Sequence, residues 1–476
     1  MMSSLQGKIA NSPHLKWLIL ATTTLQAFMA TLDTSIVNVA LPTISSSFGI
    51  NISLVQWVVT AYLLAITSLL LAAGRLGDLI GSRKVYISGF FIFTLGSLLC
   101  GLSDNISMLI QSRIIQGVGA ACLMALNQSI VVAAFKPSER GKALGINGVV
   151  IALGTLAGPA LGGLLLSLFN WRSIFYINLP IGIFAFAVAR LILPRDSTKK
   201  VKEHFDFIGA LLFSVGIISL LYGINSAEQY GWGSMIILGC IGLGILLIVS
   251  FVVVEKRVQF PMVDLTLYRI PLFAIGSISA FISYFLNTTF TVLYPFYLQQ
   301  LLHYPIGKVG LIMASFPFAM LLVSPVAGAL SDRIGPVLLT SLGLAFNLLG
   351  YLYSLTLTAN PGLVQVLVSP VLIGLGQAMF AAPNNSSVMG SVPVKKLGIA
   401  GGLNALVRNL GYAAGATFAV SLFTSRKAAL LAGVGHTPTI SEQTAAFVSA
   451  YHSVAFIAGI LAIVGMVISF SRSGYV

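Results

Sequence analysis

Charge, and above all negative charge, is what this 476-residue chain has least of. Twelve Asp and Glu stand against 26 Lys and Arg, and charged residues are only 8% of the total. A soluble domain carries roughly a quarter, so an ordinary water-facing surface is excluded. Only three cysteines occur, and Cys100, Cys122 and Cys240 all sit inside apolar runs. That excludes a disulfide framework and a thiolate metal site, and leaves them as small buried hydrophobes. No His/Cys/acid cluster or nucleophile–base set falls within the apolar runs, so neither a metal centre nor an enzyme is expected. The excess is apolar: 57% hydrophobic residues and a mean hydropathy of +0.97.

Runs of about twenty apolar residues, long enough to cross a bilayer as helices, recur along the chain. They fall near 17–43, 54–74, 85–103, 106–134, 143–168, 173–193, 207–225, 234–254, 272–298, 308–330, 337–357, 362–389, 399–424 and 449–470. The expected fold is an all-α polytopic membrane protein of fourteen transmembrane helices. The first run is too long for a signal-peptide core and lacks a cleavage pattern, so it is expected to remain in the mature chain. The longest polar gap, 425–448, is expected to be an outer loop with a short surface helix after Pro438.

The net charge of +14 is not a nucleic-acid footprint once its distribution is considered. With the N-terminus inside, twenty of the 26 basic residues lie on the cytoplasmic side. Arg172, Lys308, Arg426 and Lys427 lie outside, and Arg113 and Arg408 lie within spans. This positive-inside bias sets both termini in the cytoplasm and brings basic loops to anionic lipid head groups.

One acid breaks the apolar pattern. Asp33, in Leu32-Asp33-Thr34-Ser35-Ile36-Val37-Asn38, lies about sixteen residues into the first run, while the other acids fall in loops or at segment ends. A charge at that depth costs several kcal/mol unless it meets water, a partner or a proton path, so it reads as functional. Arg113 lies roughly 10 Å below the outer end of the fourth span, a depth similar to that of Asp33, and is its candidate charge partner. Gln26, two turns before Asp33 on the same helix face, heads the candidates for lining a solute cavity. Asn38, Tyr62, Asn287, Tyr294 and Arg408 complete that set, with Trp57, Tyr297 and the asparagines of the spans, Asn127 and Asn178 among them, as weaker members.

Two passages recur at an offset of 254 residues. Gly74-Arg75-Leu76-Gly77-Asp78-Leu79-Ile80-Gly81 matches Gly328-Ala329-Leu330-Ser331-Asp332-Arg333-Ile334-Gly335, and Leu32-Asp33-Thr34-Ser35 falls on Leu286-Asn287-Thr288-Thr289. Duplicated halves around a site are a recurring transporter design. The division expected is 1–194 as a first six-helix bundle, 195–265 as a linker and inserted hairpin, and 266–476 as a second bundle. Gly74, Asp78, Gly81, Arg83, Lys84 and Asp332 suit a conformational latch: glycines for close approach, Asp78 for a helix N-terminus or a basic side chain, Arg83 and Lys84 for acids such as Glu139. In span five, Gly154, Gly158 and Gly162 make one smooth stripe for close packing; Pro159, which lacks a backbone donor and invites a bend, and Gly163 lie inside the same motif.

Together these motifs resemble the major facilitator superfamily, and within it the fourteen-helix drug:proton antiporter branch. Residues 32–42 look like that branch's first-helix signature, 74–84 like the superfamily's loop motif, 113–119 like its fourth-helix motif, and 154–163 like the antiporter motif of helix five. Trp171-Arg172-Ser173-Ile174-Phe175-Tyr176-Ile177-Asn178-Leu179-Pro180 is similar to a further segment of the branch. The loop motif departs from the family pattern at Leu79 and Ser82, where basic residues are usual, and the tenth span lacks the additional acid of some relatives.

The resemblance implies proton-coupled efflux of lipophilic, cationic drugs or related amphiphiles by alternating access in the plasma membrane. A monomer is expected, with no cofactor beyond the proton gradient. Burial penalises a charged Asp33 while a facing Arg113 favours it, so the group can exchange a proton. A monovalent cation leaving for one proton would be electroneutral. The rival readings are a lipid or fatty-acid exporter, with Arg113 and Arg408 on an anionic head group, an exporter of one metabolite, and a sensor or scaffold that no longer transports.

Overall fold

The computed structural model describes residues 14–50, 52–194, 204–231, 233–258, 260–432, 436 and 438–474. Residues 195–203, at the start of the expected linker, lie outside them. Fourteen long helices follow in chain order, with no strand among the described residues. They are α1 (Leu15–Phe48), α2 (Trp57–Ile80), α3 (Ser82–Gly101), α4 (Ile106–Ala134), α5 (Arg140–Leu168), α6 (Asn178–Ile192), α7 (Phe207–Tyr230), α8 (Met235–Glu255), α9 (Pro271–Phe296), α10 (Ile306–Ile334), α11 (Pro336–Ser354), α12 (Leu363–Gly390), α13 (Leu397–Ala432) and α14 (Ile440–Phe470). Helices prevail because backbone groups in hydrocarbon find partners only within their own segment. Thirteen of the helical stretches are long and apolar enough to cross a membrane. The exception, α13, is diluted by glycines, Asn404, Arg408 and Asn409.

The separate surface helix expected after Pro438 is not formed. Residues 440–448 are instead the first turns of α14, begun by a capping box in which Thr439 and Glu442 satisfy each other's backbone N–H groups. With α13 running to Ala432, the loop shrinks to a few residues.

Helices α1–α6 pack among themselves, and α9–α14 repeat the same scheme. The pairs α1–α5, α2–α4, α3–α4 and α3–α6 of the first six correspond to α9–α13, α10–α12, α11–α12 and α11–α14 of the last six. The repeated glycines also act alike: Gly81 ends α2 at φ 107° and Gly335 ends α10 at φ 83°, a backbone that side-chain-bearing residues rarely adopt. The two sets meet chiefly along two seams, α2 against α13 and α5 against α10.

Candidate functional site

Asp33 and Arg113 form a sealed ion pair. They are 1% and 0% exposed, and Arg113 Nη1 lies 2.7 Å from Asp33 Oδ2. The sequence placed the two at one depth; the packing of α1 against α4 turns them toward each other. Two further side chains complete the shell. Gln116 Nε2 donates to Asp33 Oδ1 at 2.9 Å, and Asn178 Nδ2 donates to the same oxygen at 2.8 Å. Arg113 Nε donates to Val58 O at 3.0 Å, and its guanidinium lies 4.0 Å from the Tyr62 ring centre. Every group touching the carboxylate is a donor, so the shell is satisfied by the charged acid and loses its logic when a proton arrives.

Gln116 was missed from sequence, although its position three residues after Arg113 puts both on one face of α4. Asn178 stood only among the span asparagines. Nothing in its local pattern shows that the start of α6 reaches α1.

The cavity candidates scatter. Gln26 is buried and accepts from Asn127 Nδ2 at 2.6 Å. Asn38 is exposed, five residues past Asp33 and about 140° round the helix, away from the pair. Tyr62 packs beneath Arg113 instead of facing a solute. Tyr294 donates to Val366 O at 2.6 Å and Tyr297 to Thr358 O at 2.7 Å, so both are spent inside the second half. Trp57 packs against Tyr222 of α7, with the ring centres 5.5 Å apart and the planes tilted by 32°. Asn287 is 9% exposed, and Arg408 is half-buried beside Tyr284 and Tyr412. A groove of about 830 Å³ opens between residues 355–359 and the start of α14, and none of these candidates lines it.

The latch residues come together across the seams. Asp78 Oδ1 and Oδ2 accept from Gly398 N at 2.9 Å and Ile399 N at 2.8 Å, at the start of α13. Asp332 answers from the other half, accepting from Gly141 N at 2.8 Å and Lys142 N at 2.9 Å at the start of α5. Each carboxylate thus sits on a helix N-terminus of the opposite half, where unsatisfied N–H groups and the helix dipole favour an anion. Gly74 lets the backbones close, since a Cβ there would lie 2.5 Å from Gly398 O. Asn404 adds an amide bridge to Gln128 at 2.6 Å. The expected pairing of Arg83 and Lys84 with Glu139 does not form. Arg83 donates to Leu193 O and Arg190 O at the end of α6, Lys84 is exposed, and Glu139 holds Lys16 at 2.6 Å. Those carbonyls lack intrahelical partners, and α1 brings Lys16 nearer to the acid.

The glycine stripe packs α5 on α1. A Cβ at Gly154 would overlap Thr31 and one at Gly158 would overlap Ser35, while one at Gly162 would rest 3.6 Å from Ile36. Gly163 points away, with nothing within 4 Å. The helix runs through Pro159 without a break. Gly158→Val is expected to cost about 1–3 kcal/mol by overpacking, read as a lower melting temperature in detergent, whereas Gly163→Ala should leave it unchanged.

Two similarly built six-helix sets that meet along two seams have the architecture of a transporter, and the likeness to known proteins agrees. The Major Facilitator Superfamily model matches residues 23–259 and 276–473. The chain belongs to the major facilitator superfamily. It is 38% identical to the riboflavin transporter RibZ of Clostridioides difficile (strain 630), over 95% of this chain and 97% of that protein. It is 36% identical to multidrug resistance protein Stp of Mycobacterium tuberculosis (strain ATCC 25618 / H37Rv), over 83% of this chain and 73% of Stp. Multidrug transporter protein MdtP of Bacillus subtilis (strain 168) is 31% identical, over 85% and 74%. The crystal structure of the human organic anion transporter MFSD10 (TETRAN) covers 95% of this chain and 100% of its own, with a TM-score of 0.64 and 15% identity. At that identity the likeness concerns the fold alone.

Proposed function

We propose that this facilitator is a proton-coupled exporter of amphiphilic solutes, of the fourteen-helix antiporter kind, in the cell membrane. The observation that carries this reading is the sealed Asp33–Arg113 pair. A buried ion pair is poor value as a stabiliser, because apolar residues of similar volume often do as well; a switch explains it better. Protonating Asp33 removes the charge that Arg113, Gln116 and Asn178 are arranged around, and so loosens α1 from α4 and α6. With the positive-inside bias, the latch end is cytoplasmic, and this conformation is closed on that side.

Asp33 is too enclosed here to touch a solute, so proton and cargo compete through conformation and not for one carboxylate. No other acid lies deep within the described spans, which favours a neutral cargo over a cation. Similarity to RibZ along almost the full length of both proteins supports a second reading, a flavin-like metabolite as that cargo.

Membrane potential separates the cargoes. In proteoliposomes with an imposed pH gradient, ethidium represents the cations and riboflavin the neutral heteroaromatics. One proton exchanged for a cation moves no net charge, so a potassium-diffusion potential should have no effect. One proton exchanged for a neutral flavin moves one charge, and a potential drawing protons inward should accelerate export. Transport of either solute that ignores the pH gradient would sink proton coupling itself.

A further inference from the structure

The connection between α5 and α6, residues 169–177, covers the buried pair at the end opposite the latch. With the latch end cytoplasmic, this is the outer face. Its single helical turn, Ser173–Tyr176, packs on α1 and α3. Ile174 and Phe175 of that turn are buried in one apolar cluster with Ile36 and Ala40 of α1 and Val58 of α2. The Phe175 ring centre lies 5.8 Å from the Arg113 guanidinium, so the turn roofs the pair directly. Asn178, the first residue of α6, then carries the connection to the acid by donating to Asp33 Oδ1.

A few polar contacts fasten the rim. Trp171 Nε1 donates to Ser47 Oγ near the end of α1 at 3.1 Å, and Tyr176 OH donates to Gly101 O, at the end of α3, at 2.9 Å. Arg172 Nη2 donates to Ser103 O at 2.9 Å and stands 3.6 Å from the exposed Asp104. A Cβ at Gly101 would overlap the Tyr176 ring, so the bare glycine lets the tyrosine seat. Each such bond adds little net stability, and an exposed ion pair adds less. The rim can therefore part while both halves stay folded. The corresponding connection of the second half, where Asn287 stands in place of the acid, reads Gly433-Val434-Gly435-His436-Thr437-Pro438-Thr439 and has no Trp, Arg or Tyr.

Closed at the latch end, this conformation is the one that takes a proton from outside, yet Asp33 is sealed within it. We propose that the α5–α6 connection is the outer proton gate, with Asn178 the positioning residue that joins the gate to the acid. Lifting the turn admits water to Asp33 and withdraws one donor from its carboxylate in the same movement. The titratable groups around the acid are Arg113 of α4, Tyr62 of α2 and Cys100 of α3, and α6 brings the neutral Asn178. The proposal rests on the proton-coupled reading and adds the route by which the proton enters.

Cys100 is a native reporter of the gate. It is buried beside Gly101, and its Sγ lies 3.8 Å from Gln116 Oε1 of the acid's shell. Full-length protein carrying Cys122→Ala and Cys240→Ala is placed right side out in proteoliposomes. A membrane-impermeant methanethiosulfonate added outside then labels Cys100 when the gate lifts. Tyr176→Phe removes one anchor and is expected to raise the labelling rate about fivefold, the equilibrium effect of one hydrogen bond. Ser47→Ala, which frees Trp171, is the second variant if Tyr176→Phe does not fold. Tyr297→Phe loses a similar bond to Thr358 O in the second half and should label at the wild-type rate. In gradient-driven efflux, the outside proton concentration for half-maximal rate should fall by the same factor, because the competent state is populated more often. Unchanged labelling in the anchor variants, or equal acceleration in Tyr297→Phe, would overturn the gate. So would faster labelling with an unchanged half-maximal proton concentration, because the turn would then cover Asp33 without controlling its proton. Labelling needs no transport, so its failure is distinct from efflux that ignores the pH gradient.

Discussion

Asp33→Asn is expected to cut gradient-driven efflux at least about 100-fold while the protein still inserts and folds. The amide keeps the volume and one acceptor for Gln116 or Asn178, but its NH₂ group cannot accept from Arg113 Nη1. Arg113, at 0% exposure, is then a buried cation without a counterion. Breaking such a pair costs about 3–5 kcal/mol, and about 3 kcal/mol is about 100-fold in an equilibrium. Two measurements separate coupling from stability. The first is solute accumulation against its gradient under an imposed pH difference, which should vanish. The second is the melting temperature of the double variant Asp33→Leu/Arg113→Met, which should return near wild type because an apolar pair replaces the ion pair without stranding either charge. Transport should stay absent in that double variant. Recovery of transport there would mean that the pair is structural.

Asp78→Ala combined with Asp332→Ala is expected to open the latch. Each carboxylate accepts two backbone N–H groups from a helix start in the opposite half. A capping acid in that position is worth about 1 kcal/mol. Losing both shifts the closed–open balance by about 2 kcal/mol, roughly 30-fold. The two seams are separate, so the single variants should each give about half the effect in free energy. Pulsed dipolar distances between spin labels at Ser138→Cys and Val394→Cys, exposed positions on opposite halves at the latch end, report the shift directly. Unchanged distances in the double variant would show that the glycine contacts hold the seams without the carboxylates.

The membrane class, the helix number and the repeat were legible in the chain because each depends on a local pattern of many residues. An apolar run must become a helix in hydrocarbon wherever it packs, and a motif copied at 254 residues survives as a copied turn, with Gly81 and Gly335 both at positive φ. The candidate site residues were legible in part. Asp33 stood out through its cost, which needs no knowledge of its neighbours. The stripe of Gly154, Gly158 and Gly162 stood out through its spacing, yet only packing shows that its partner is α1 and that Gly163 is left out.

Partner choice was not legible in the sequence. Arg83 and Glu139 carry opposite charges in neighbouring loops, but each is taken by a group that the fold brings nearer. Tyr62 and Tyr294 are aromatic residues in transporter helices, but an arginine and a carbonyl had prior claim on them. The hairpin was visible as two extra apolar runs, with nothing to show that Asp206 and Glu255 would both crowd against Gly209.

By itself, then, the sequence determined that this chain is a polytopic helical membrane protein with duplicated halves, one costly acid and a basic end. Those properties follow from composition, period and desolvation, which are paid residue by residue. Only the tertiary structure decided that Asp33 is sealed by Arg113, Gln116 and Asn178, and that each latch aspartate caps a helix of the other half. Such contacts depend on helix rotation and crossing, which are set by close packing among many side chains and are written in no single stretch of the chain.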